Sequence, residues 1–143
     1  MLLPDVNVLV YAFRRDAENH LAYRDWMDGL VNGSASFGLA EPVLAGFLRV
    51  ATHPAIFKTP SAMRSALGFV EALRGCARAV PVLPGPRHFE VFLDLCRLPG
   101  TKGNVVPDAY LAALAIESGS EWVTCDRGFA RFPGLRWRHP LEG

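Results

Sequence analysis

Two polar residues, Asp5 and Asn7, interrupt the otherwise apolar N-terminal stretch from Leu2 to Val10. Burying an unpaired carboxylate costs on the order of 5 kcal/mol or more, so Asp5 needs a cation or hydrogen-bond donors beside it. The residues before Asp5 predict a short buried strand, and those from Asn7 onward predict a helix. Asp5 is therefore expected at the carboxyl end of a strand, where open α/β sheets place their functional sites.

Three further acids stand at similar junctions. Glu41 follows a predicted strand, 35–40, and precedes Pro42, which suits the first turn of a helix. Asp126 follows a predicted strand, 121–125, and Asp108 lies at the entry of a strongly apolar helix. Each of these acids could instead cap a helix or favour its first turn through the helix dipole.

Four carboxylates at one edge of a sheet would repel one another unless a cation lies among them. The four histidines of the chain show no metal-ligand spacing, and the three cysteines form no C-x-x-C pair. Hard carboxylate oxygens without imidazole or thiolate select Mg²⁺, with Mn²⁺ as a substitute. The pattern thus predicts a magnesium site.

The elements that must position these acids alternate between strands and helices along the whole chain. This alternation predicts an α/β fold, a three-layer α/β/α sandwich with a central, mainly parallel sheet, in one domain spanning residues 1–143. Pro81 places the predicted strand 80–83 at an edge. In the predicted helix 87–98, the side chains expected to face inward are Phe89, Phe92, Leu93 and Cys96.

Composition limits the possible partners. Half of the 143 residues are apolar and the net charge is +1, so contact with a nucleic acid would depend on local arginines rather than on overall basicity. An odd number of cysteines favours reduced thiols and a cytoplasmic location. No signal peptide or membrane-spanning stretch is expected.

These motifs resemble those of PIN-domain ribonucleases, and within that family the VapC-like toxins of bacterial toxin-antitoxin operons. The motifs that carry the resemblance are Asp5-x-Asn7, Glu41 at the start of a helix, Pro107-Asp108-Ala109 and Thr124-x-Asp126-x-x-Phe129. The segment from Gly46 to Thr52 and the Gly103-Asn104 pair are also similar to the family. The resemblance covers the whole chain.

The resemblance implies a PIN-like fold and a Mg²⁺-dependent endoribonuclease in which activated water hydrolyses RNA without a covalent intermediate. Asp5, Glu41, Asp108 and Asp126 are the expected catalytic metal ligands, directly or through water. Asn7, Asn104 and Thr124 are the candidates for orienting them. Arg127 and Arg49 are the candidates for contacting substrate phosphate.

Two alternatives remain open at this point. The apolar stretch ending at Asp5 also fits an aspartyl-phosphate phosphatase, although such enzymes carry a second aspartate where this chain has Asn7. A non-catalytic interaction domain would leave the four acids unexplained. Serine-hydrolase and P-loop functions are excluded because their motifs are missing.

The resemblance also implies a cognate antitoxin, whose extended tail would place an arginine beside Asp5 or Asp126, and a homodimer. The sequence adds a physical reason for an interface, because several apolar residues exceed what one small domain's helices need. They are Phe47, Leu48, Ile56, Phe57, Phe69 and Val70.

Overall fold

A parallel five-stranded sheet forms the centre of the molecule. The computed structural model describes residues 1–142. The strands are β1 (Leu2–Pro4), β2 (Phe37–Ala40), β3 (Ala79–Val82), β4 (Glu121–Val123) and β5 (Trp137–Arg138), in the spatial order β3-β2-β1-β4-β5. All neighbouring strands run parallel, which confirms the predicted α/β fold.

Six α-helices and one short 3-10 helix connect the strands. They are α1 (Val6–Phe13), α2 (His20–Val31), α3 (Glu41–Ala51), α4 (Met63–Arg74), α5 (His88–Cys96), α6 (Val105–Ser118) and the 3-10 helix Arg127–Arg131. Helix α1 packs on α2 and α3, α3 packs on α4, and α5 packs on α6. No helix in the described part of the chain is long and apolar enough to cross a membrane.

The central strand β1 pairs with β2 on one side and β4 on the other, with Pro4 opposite Val123. The backbone N–H of Asp5 continues this ladder by donating to the carbonyl of Val123 at 2.8 Å. The carboxyl ends of β1 and β4 therefore lie side by side. Strand β3 lies at an edge, as Pro81 predicts.

Helix α5 presents a different face from the predicted one. Phe89 is 60 % exposed and Leu93 is also exposed, whereas His88 and Leu95 are buried. His88 Nε2 donates a hydrogen bond of 3.0 Å to the carbonyl oxygen of Tyr110, and the His88 ring packs edge-on against the Tyr110 ring. The satisfied polar nitrogen lets a histidine take the inner position.

Most of the six apolar residues that the sequence suggested for an interface are buried or partly buried within the domain. Phe47 and Val70 are buried, so their assignment to an interface is wrong. Phe47 lies among the rings of Phe13 and Phe69, with centroid distances of 5.0 to 5.3 Å, and this cluster joins α1, α3 and α4. Of the six residues, only Ile56 is largely exposed, at 49 %.

Arg14, the residue that follows α1, is only 7 % exposed. Its guanidinium binds Asp16 at 2.6 Å, the Ser61 hydroxyl at 3.0 Å and the Thr59 carbonyl at 2.9 Å. It also lies 3.7 Å from the centroid of the Phe57 ring. Arg14 thereby attaches the loop between α3 and α4 to the end of α1.

Candidate metal-binding and catalytic site

Asp5 lies where the sequence places it, between the end of β1 and the first residue of α1. Its carboxylate accepts hydrogen bonds from the backbone N–H of Val6 at 2.6 Å and from the Thr124 hydroxyl at 2.7 Å. The residue is 6 % exposed. Burial raises the pKa of Asp5 from 3.8 to about 6, even though both hydrogen bonds lower it.

The Thr124 hydroxyl connects the elements that hold the acids. It donates to Asp5, and its oxygen accepts from the backbone N–H of Asp126 at 3.0 Å and from the Asn7 amide at 3.4 Å. The Asn7 side-chain oxygen accepts from the backbone N–H of Cys125 at 3.3 Å. Because Thr124 is fully buried, this network fixes the end of β4 relative to the start of α1.

Asp126 begins the 3-10 helix as its N-cap. Its carboxylate accepts from the backbone N–H of Gly128 at 2.8 Å. A Cβ added at Gly128 would lie 2.9 Å from Asp126 Oδ1, so a side chain there would displace the carboxylate. The glycine is needed for this close approach rather than for an unusual backbone angle.

Asp108 lies in the first turn of α6 and is half-buried. Desolvation raises its pKa, the negative charge of Asp126 raises it further, and the positive charge of Arg131 lowers it. The charges of Asp108 and Asp126 also raise the pKa of Asp5. The three aspartates therefore share one region of negative potential.

Glu41 and Asn104 are less closely tied to this region. Glu41 is exposed at the start of α3 and lines a cavity of about 320 Å³ together with Arg74 and Leu83. Asn104 is exposed, and its side chain makes no capping hydrogen bond to α6. Within residues 1–142, no three carboxylate, imidazole or thiol groups form a ready-made metal cluster.

Comparison with known proteins decides the family. The PIN-domain family profile matches residues 2–135. The chain belongs to the PIN-domain family. Ribonuclease VapC43 of Mycobacterium tuberculosis is 46 % identical over 143 residues, covering 100 % of this chain and 97 % of the relative. Ribonuclease VapC25 of the same species is 41 % identical over 140 residues, covering 98 % and 99 %.

Solved structures share the fold of this PIN domain at low sequence identity. The VapBC2 complex of Rickettsia felis, bound to a promoter DNA fragment, includes a chain with a TM-score of 0.69 and 17 % identity, with 96 % of this chain and 97 % of that chain covered. Mycobacterium tuberculosis VapC20, a toxin that cleaves the sarcin-ricin loop, has a TM-score of 0.65 and 14 % identity, with 95 % and 99 % covered.

The two arginines expected to meet substrate differ in their surroundings in the PIN domain. Arg127 forms an ion pair with Glu142, so its guanidinium already has an anionic partner. Arg49 is exposed in the last turn of α3, and its side chain makes no hydrogen bond within the described residues. Neither observation assigns a role in binding RNA.

Two residues near the acids, Tyr23 and Arg131, were not predicted from the sequence as part of the site. The hydroxyl of Tyr23 in α2 lies 3.2 Å from Cys125 Sγ, and burial raises the pKa of both groups. This contact attaches α2 to the acidic edge, the edge of the sheet that carries Asp5, Asp108 and Asp126. Arg131 lies at the end of the 3-10 helix, and its charge acts on Asp108. The position of Arg131 between Phe129 and Phe132 was a usable signal, because aromatic neighbours indicate an anchored turn. No sequence signal links Tyr23 to Cys125.

Proposed function

We propose that the chain is a Mg²⁺-dependent endoribonuclease and the toxin of a toxin-antitoxin pair. The observation that carries the proposal is the group formed by Asp5, Asp108 and Asp126. Asp5 is buried with a pKa of about 6, which the charges of Asp108 and Asp126 help to raise, and the charge of Asp126 also raises the pKa of Asp108. Relatives over the full length bear the name ribonuclease VapC, which agrees with a nuclease site of this composition.

The residues present suit a divalent cation. Carboxylate oxygens are the ligands that Mg²⁺ prefers, and it commonly binds proteins through one or two carboxylates while keeping several waters. This mode does not require three protein ligands that already lie close enough to share one ion. It therefore agrees with the described residues, in which no three such groups form a ready-made cluster. Asp5, Asp108 and Asp126 would hold the ion directly or through water, and exposed Glu41 would act through water.

A bound ion would supply Lewis acidity, which activates water and neutralises charge at the phosphate. The chain's own residues prepare the site for it. Thr124 and the Val6 N–H hold the Asp5 carboxylate in one orientation, and the Gly128 N–H holds that of Asp126. Asn7 acts through Thr124 and Cys125, so it orients the site without touching substrate.

The proposal extends to the partners. A cognate antitoxin would bind the acidic edge through a basic side chain in place of the cation, and residues 1–143 would act as one nuclease domain in a homodimer. Structural neighbours described as VapBC complexes support the antitoxin. The homodimer lacks the support expected from Phe47 and Val70, because both are buried. Mn²⁺ should replace Mg²⁺, and the cytoplasmic location stays a prediction.

Cleavage assays with the purified protein test the activity. Labelled RNA should be cut in Mg²⁺ or Mn²⁺ and left intact in EDTA, and D5N and D108N should each lose activity while staying folded. E71Q serves as the control, because Glu71 is an exposed acid on α4. Full activity in EDTA, or normal turnover in both aspartate variants, would contradict the proposal.

A mass measurement separates the nuclease from the phosphatase alternative. After incubation with a phosphate donor, an aspartyl-phosphate enzyme would gain the mass of a phosphoryl group, whereas the proposed nuclease would not. Asn7 occupies the position two residues after Asp5 where such an enzyme needs its second aspartate. Its side chain instead forms hydrogen bonds with Thr124 and the backbone N–H of Cys125. We therefore expect an unmodified mass.

A further inference from the structure

Arg131 is held in place by the two aromatic residues that flank it. It ends the 3-10 helix Arg127–Arg131, and both Phe129 and Phe132 are buried. The Phe129 ring packs against Trp122 of β4, with a centroid distance of 5.4 Å, and against Phe132 at 5.8 Å. The backbone on each side of Arg131 is thus attached to the core.

A chain of hydrogen bonds connects Arg131 to a candidate metal ligand. The backbone N–H of Gly128 donates to the Asp126 carboxylate at 2.8 Å, and the carbonyl of the same glycine accepts from Arg131 Nε at 3.1 Å. One peptide segment therefore positions both the carboxylate and the guanidinium. The Nη groups of Arg131 make no hydrogen bond or ion pair within residues 1–142.

The guanidinium is held next to one of the acids, because the glycine that accepts from Arg131 Nε also donates to the Asp126 carboxylate. Arg127, at the other end of the same turn, is paired with Glu142 instead. Of these two arginines, only Arg131 is anchored through Nε with its Nη groups still open.

We propose that Arg131 binds a backbone phosphate of the substrate next to the acidic edge. This inference rests on the proposed ribonuclease function. A polyanion approaching three carboxylates meets repulsion, and a cation fixed beside them offsets it. A guanidinium held through Nε can offer its Nη donors to the phosphate oxygens, so little side-chain freedom is lost on binding.

RNA binding in EDTA, with cleavage switched off, tests Arg131 directly. Single-stranded RNA is titrated with wild type, R131Q and R131K over a series of KCl concentrations, with fluorescence anisotropy as the readout. We expect R131Q to bind about fivefold more weakly and the slope of log K against log salt to fall by about 0.7, the value for one lost contact to a single strand. R131K should retain the slope and recover only part of the affinity.

R78Q is the matched control. Arg78 is exposed and precedes β3, so in this parallel sheet it lies at the edge opposite the acids. Its loss should leave both affinity and slope unchanged. In Mg²⁺, R131Q should raise KM more than it lowers kcat, because the contact binds phosphate in the ground state as well.

The alternative role for Arg131 is to brace the turn that holds Asp126. In that case R131Q would weaken Mn²⁺ binding, measured by calorimetry, without changing the salt slope, and this result would overturn the proposal. A phosphate contact predicts unchanged or tighter Mn²⁺ binding, since a positive charge is removed. If wild type cuts RNA and R131Q behaves like R78Q, only the role of Arg131 fails. If wild type neither cuts nor binds RNA, the proposed function fails.

Discussion

Replacing Asp5 by Asn should stabilise the metal-free protein at neutral pH and destabilise it in acid. The fold raises the pKa of Asp5 from 3.8 to about 6, so the folded state binds this proton more tightly than the unfolded state does. The stabilising contribution of the protonated carboxyl is complete below pH 3.8 and is lost as the pH rises towards 6. Each unit of pKa difference is worth about 1.4 kcal/mol, so the change is about 3 kcal/mol.

The asparagine variant removes this titration and weakens the hydrogen bonding. Asp5 accepts from both Thr124 and Val6, whereas an amide offers one acceptor oxygen, and the lost bond costs about 1 kcal/mol at every pH. D5N should therefore be about 0.5 kcal/mol less stable than wild type near pH 4 and about 2 kcal/mol more stable near pH 8.

Urea unfolding in EDTA across this pH range measures the difference. E71Q, which lacks an exposed acid on α4, should follow wild type at every pH. Excess Mg²⁺ should stabilise wild type more than D5N, because a cation that binds only the folded state adds to its stability. A D5N stability difference that stays constant from pH 4 to pH 8 would refute the assignment of a buried, destabilising carboxylate.

Other changes act on the supports of the site. T124V removes one of the two donors to the Asp5 carboxylate and leaves only the Val6 N–H, so it should raise the pKa of Asp5 further. The acidic limb of the pH-rate profile should then move to higher pH, whereas T124S should not move it. G128A should displace the Asp126 carboxylate and reduce activity at least tenfold with less than about 1 kcal/mol lost in urea unfolding; wild-type activity would contradict this. R14L should cost about 2 to 4 kcal/mol, because its four partners lose a buried cation, and a cost below about 1 kcal/mol would show that the loop is held otherwise.

The sequence locates the acids well because a charge inside an apolar run is a strong local signal. Asp5 and Asp126 follow strands, and Asp108 enters the buried helix, as predicted. The predicted parallel sheet also limits where these acids can lie, since the carboxyl ends of parallel strands meet at one edge. Whether all four acids act together in catalysis stays a prediction, and Glu41 is the member with the weakest connection to the others.

What the sequence could not provide depends on contacts between distant segments. His88 takes an inner position from Phe89 because Tyr110, 22 residues later, offers a carbonyl and a ring. Arg14 is buried because Ser61 and Thr59 supply oxygens from another loop. Periodicity ranks residues by apolar character and cannot register a polar group whose partner lies far along the chain.

The pairing of β1 with β4 has a consequence for synthesis of the protein. The bond between Asp5 and Thr124 spans 119 residues, and Asp126 lies beyond it. On the ribosome, β1 is synthesised long before β4. Until β4 is made, the central strand β1 lacks its pairing partner on one side. The nascent chain therefore has no assembled acidic edge until β4 and Asp126 have been synthesised.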